Sequence, residues 1–107
     1  MPADDDCISV FAAATSKLVA PFRGTFRGVI MELQSHDYTQ TGNEIRPFKL
    51  VDGAGHFIQC AAMAQNASSA ALAEMNEVVM YFATGRGPIG ACGGRLYAYK
   101  DSVIVPI

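Results

Sequence analysis

The chain has 107 residues, half of them apolar and 17% charged, enough for one globular domain with one core. Its formal net charge is −2, so it is no strongly basic partner for nucleic acid; affinity is expected to be modest and salt-dependent, or the partner different. The three cysteines lie 53 and 32 residues apart, without zinc-ligand spacing, and no apolar run has membrane-spanning length, so neither a metal site, a cofactor nor a membrane is expected.

Charge is uneven along the chain. Asp4, Asp5 and Asp6 open it, whereas from Lys17 onward eight basic residues face seven acidic ones. The acidic start does not read as a secretory or transit leader, and a nuclear or cytoplasmic location is expected. Residues 1–20 are predicted to form an acidic start and a short helical segment, because Ile8, Phe11 and Ala12 recur at helical spacing and Pro21 ends the pattern.

A barrel is expected over 22–107. Phe22–Leu33 reads as a long strand with Phe26 and Ile30 on one face, and Gly24 and Gly28 mark a bulge or bend. A polar loop follows over Gln34–Glu44. Ile45–Val51 is a second strand with Phe48 and Leu50 inward, and Pro47 demands an edge or a bulge. Asp52, Gly53 and Gly55 make a hairpin turn into a third strand, His56–Met63. Ile58, Cys60 and Ala62 should face the core, and Phe57, Gln59, Ala61 and Met63 should face out. Ala70–Met75 has high helix propensity, with Leu72 and Met75 placed to plug the barrel. Glu77–Ala83 is a fourth strand in which Tyr81 and Phe82 have opposite parity. A glycine-rich loop carries Arg86 to a fifth strand, Arg95–Lys100, and Ser102–Ile107 is extended. Three strands, a helix and two strands is the order of an OB-fold, a mainly β, five-stranded Greek-key barrel with a helix between its third and fourth strands. The whole of 1–107 is read as a single OB-fold domain.

Arg27-Gly28-Val29-Ile30, Arg46-Pro-Phe-Lys-Leu-Val-Asp52-Gly-Ala-Gly55 and Asp101-Ser102-Val103-Ile104-Val105-Pro106 resemble the OB domains of the replication protein A large subunit. The resemblance covers roughly Phe26 to Pro106. It implies binding of single-stranded nucleic acid, without catalysis, on the outer face of the second and third strands. The family's base-stacking positions fall here at Met63 and about Ala91 or Cys92, which leaves stacking to Phe57, Tyr38 or His36.

On that face the parity places Lys49, Phe57, Gln59 and Met63, bordered by Arg46, Tyr38, Arg86 and Arg95. Cations there would pair with phosphates and aromatic rings would stack on bases. Tyr97 and Tyr99 share a face, and packing is the preferred reading of the pair. The glycine-rich loop lacks the P-loop order and leads into a strand, so it is read as a plain connection. His36 and His56 lie in or beside turns, and no catalytic arrangement can be nominated. The expected function is a non-catalytic single-stranded nucleic-acid-binding module of replication or repair type, with DNA ahead of RNA. The alternative is a protein-interaction or assembly domain that meets a partner or a second copy through its termini.

Overall fold

The computed structural model describes residues 8–9, 22–86 and 95–107, with side chains described over 24–85 and 95–107. Among these residues eight strands form one sheet: β1 (Ile8–Ser9), β2 (Phe22–Met31), β3 (Asp37–Tyr38), β4 (Glu44–Val51), β5 (Phe57–Met63), β6 (Glu77–Arg86), β7 (Arg95–Ala98) and β8 (Val103–Pro106). The lateral order β2-β4-β5-β7-β6 returns to β2 through a second antiparallel pairing of β2 with β6, which closes a five-stranded barrel. β5 and β7 run parallel, and the other neighbours in that ring run antiparallel. This is the strand order of an OB-fold.

Period-two patterning fills the barrel. Phe26, Ile30, Leu50, Ile58, Met80, Leu96 and Ala98 have no exposed surface, and Phe48 and Cys60 have almost none. Asp52 makes the β4–β5 turn in the way its residue type favours. Its Oδ1 accepts the Ala54 and His56 N–H groups at 2.9 Å each, and Oδ2 lies 2.9 Å from His56 Nδ1. Gly55 supplies the φ of +91° that the turn requires. Pro47 lies beyond the β2–β4 ladder, whose last pair is Met31 with Lys49, so its missing N–H disturbs no such pairing.

Four expectations need correction. Ile8 and Ser9 are not helical but pair in parallel with Phe26 and Arg27; the rest of the N-terminal segment lies outside the described residues. The helix after the third strand is a 3-10 helix over Ala64–Ser68, followed by turns, and Ala70–Met75 forms no helix. Six residues cannot repay helix nucleation by propensity alone. The Ala71 carbonyl is taken by Ala73 N–H and the Asn76 amide, while Met75, at φ 70°, donates its N–H to Ile30 O at 2.7 Å. Leu72 still joins the core, but Met75 is 73% exposed and plugs nothing.

The sheet irregularity does fall opposite Gly24–Phe26, but the extra residue belongs to β6, where Tyr81 and Phe82 oppose Thr25 and Phe82 takes φ 62°. Tyr81 is buried there, outside the central core, and Phe82 is exposed. Finally, Ala61 has outward parity yet no exposed surface; in register it lies between Pro47 and Tyr97 on the outer wall.

Candidate nucleic-acid interface

The outer wall of β4, β5 and β7 is ordered in rows set by strand register. Val51 stands beside Phe57, Lys49 beside Gln59, Pro47 beside Ala61 and Tyr97, and Ile45 beside Met63. Because Cys60 pairs with Leu96, Arg95 continues the row of Lys49 and Gln59. Successive rows are two residues apart, about 6.5 to 7 Å. The Lys49, Gln59 and Arg95 row therefore makes a polar band near the Phe57 end, and the wall is apolar from Pro47 to Met63.

Tyr97 and Tyr99 stack at 5.5 Å between ring centroids with an interplanar angle of 10°. Both are half-buried, so the wall carries an aromatic platform beside Met63 rather than a pair sunk in the core. The shared parity of two tyrosines two apart was the available signal; the structure shows them stacked on each other and half-buried. A cavity of about 390 Å³ adjoins this platform, walled by Asn43, Met63, Tyr99 and Lys100.

The polar end has its own cavity of about 290 Å³ among Glu32, Gln34, Lys49, Gln59 and Arg95. Lys49 Nζ lies 2.7 Å from Glu32 Oε2 and 4.4 Å from the centroid of the Phe57 ring, which is 42% exposed. Arg95 and Gln59 make no ion pair or side-chain hydrogen bond among the described residues. Glu32 was absent from the candidates because no sequence spacing relates it to Lys49. It ends β2 at φ 51°, and the Glu74 carboxylate holds it there by accepting the Glu32 and Leu33 N–H groups at 3.1 and 2.9 Å.

The remaining candidates separate from this cluster. Arg46 has the inward parity of Phe48 and Leu50, and its Nε donates to Gln34 O at 2.8 Å. Tyr38 is 66% exposed on β3, on the edge of β4 opposite β5, so it stands at the rim. His36 reaches Glu44 Oε2 at 3.2 Å, an oxygen that also accepts the Ser68 hydroxyl. Arg86 pairs with Arg95 in register, but its side chain lies outside the described residues, as do Ala91, Cys92 and the rest of the glycine-rich loop. The structure thus brings Lys49, Phe57, Gln59 and Arg95 together with Glu32 near one end of the wall, and places Met63 with Tyr97 and Tyr99 at the other.

Among the described residues, two titrating groups are shifted. Burial pushes the Cys60 thiol well above its usual range, against smaller opposing effects of a Leu50 backbone hydrogen bond and the Arg95 charge. Partial burial alone would raise Asp52, but the hydrogen bonds from the His56 ring and from the His56 and Ala54 backbone outweigh it and hold the carboxyl below its usual 3.8.

No protein-family model matches this sequence, and no curated protein matches it. Among solved structures it is similar to the solution NMR structure of the OB domain of Ta0387 from Thermoplasma acidophilum. That likeness has a TM-score of 0.67 at 14% identity, covering 95% of this chain and 87% of that one. The chain therefore has the OB fold, and the likeness at this identity speaks to fold alone.

Proposed function

We propose that this chain is a non-catalytic OB module that binds single-stranded nucleic acid, DNA ahead of RNA, across the outer wall of β4, β5 and β7. The observation that carries the reading is the stacked Tyr97–Tyr99 pair on the same wall as Lys49 and Arg95. Base stacking needs an exposed, rigid π face, and the two rings hold each other parallel before any ligand arrives. Phe57 supplies a second ring at the polar end. Arg95 and Lys49 supply charge for phosphates, with Lys49 exchanging its contact to Glu32. A replication protein A-like role in replication or repair is the finer form of this proposal, and it draws on the sequence resemblance.

With two participating cations, the slope of log K against log salt should be shallow, about −1.4 at about 0.7 per phosphate. Fluorescence anisotropy with labelled oligo-dT and oligo-U at low and high salt tests this. Binding at low salt that weakens gently with salt is expected; a signal at background at low salt overturns the proposal. A second reading, a protein-interaction or assembly domain, rests on the apolar half of the wall, where Ile45, Pro47, Met63 and the tyrosines adjoin. Sedimentation showing stable self-association, together with no oligonucleotide affinity, would establish it instead.

A further inference from the structure

The polar cavity has a donor and acceptor pattern that only one base matches in full. Across it run the Glu32 carboxylate, the Lys49 ammonium, the Gln59 amide and the Arg95 guanidinium. Glu32, just past the end of β2 beside β4, and Arg95 on β7 stand about three strand spacings apart, about 14 Å at the backbone, so a flat heterocycle fits between their two side chains over Gln59. Lys49 holds Glu32 Oε2 in the free protein, and its exchange to a phosphate leaves both carboxylate oxygens to accept. The backbone of Glu32 is also fixed, since the Glu74 carboxylate accepts its N–H and that of Leu33 and holds the left-handed conformation past the end of β2.

Guanine carries two adjacent donors, N1–H and the N2 amino group, and two adjacent acceptors, O6 and N7. Adenine and cytosine each have one exocyclic donor group, and thymine or uracil has a single ring N–H between two carbonyls. A carboxylate at one end and a guanidinium fork at the other therefore suit guanine: Glu32 accepts from N1–H and N2–H, and Arg95 donates to O6 and N7. We infer that this cavity reads a guanine base, so that the module prefers single strands carrying guanine at the bound position. The inference rests on the nucleic-acid reading above.

The test is anisotropy with oligo-dT carrying one central guanine, adenine or cytosine, beside unsubstituted oligo-dT. It is run on the wild-type chain, Glu32→Gln and Arg95→Ala, with circular dichroism confirming that each variant folds. The guanine strand should bind about tenfold tighter than the others, the discrimination a good bidentate contact gives. Hypoxanthine, which lacks the N2 amino group, and 7-deazaguanine, which lacks N7, should each lose part of that gain. Glu32→Gln and Arg95→Ala should each bring the guanine strand to the affinity of the adenine and cytosine strands, whatever the change in overall binding; a guanine preference kept in full by both variants overturns the inference. Equal affinity for all four strands, or a preference for adenine or cytosine, overturns the inference and leaves the binding proposal standing. Failure of every strand to bind overturns both.

Discussion

Replacing Tyr97 separates packing from recognition. The ring stacks on Tyr99 and flanks Ala61, which has no exposed surface. Truncation to alanine forfeits the ring pair, about 0.5 to 1.5 kcal/mol of folding stability. It also removes a base platform, about 1 to 3 kcal/mol, which raises Kd about 5- to 150-fold. Leucine keeps an apolar cover over the wall and loses only the π face. Phenylalanine keeps both, since the Tyr97 hydroxyl makes no hydrogen bond among the described residues. Oligo-dT anisotropy and urea denaturation on the three variants should give wild-type values throughout for Tyr97→Phe. Tyr97→Leu should show weakened binding with only the ring-pair loss of about 0.5 to 1.5 kcal/mol in stability, and Tyr97→Ala should lose more stability still because the apolar cover goes as well. If Tyr97→Leu binds as tightly as Tyr97→Phe, the platform plays no part in recognition.

Asn66 is buried and donates to the Tyr99 and Ser102 carbonyls at 2.7 and 3.0 Å, so Asn66→Ala should cost about 2 to 3 kcal/mol by urea denaturation. An unchanged midpoint would show that water replaces the amide. Because the folded-state carboxyl of Asp52 sits below its usual 3.8, its contribution to stability is complete above that value and disappears as pH falls through the folded one. Urea midpoints should therefore fall on acidification through this range, and less steeply in Asp52→Asn. In a chain with Cys7 and Cys92 changed to serine, the buried Cys60 should resist Ellman's reagent until denaturant is added. Prompt reaction under native conditions would contradict its burial.

The barrel was legible because strand patterning is short-ranged. Phe48 with Leu50, and Ile58, Cys60 with Ala62, declare their faces by alternation alone, and Asp52 and Gly55 declare the turn by residue type. Helix propensity misled at Ala70–Met75, where a left-handed Met75 and a hydrogen bond to Ile30 O decide the path and neither has a local signature. The site was half legible. Lys49, Phe57 and Gln59 follow from parity in one hairpin. Arg46 was placed as a neighbour of that face, although its own parity is the opposite one. The Lys49–Glu32 contact joins residues on different strands, and the stacked tyrosines look the same in sequence whether they meet solvent or another element.

The parallel seam between β5 and β7 ties Cys60 to Leu96, and the antiparallel seam ties β2 to β6. On a ribosome the first three staves could meet early, but the cylinder stays open on one side until Leu96 emerges. During that interval β5 offers a bare row of N–H and C=O groups to any passing strand. A nascent chain stalled before Leu96 is thus the sticky species of this molecule, and assembly of the whole barrel is a late event in its synthesis.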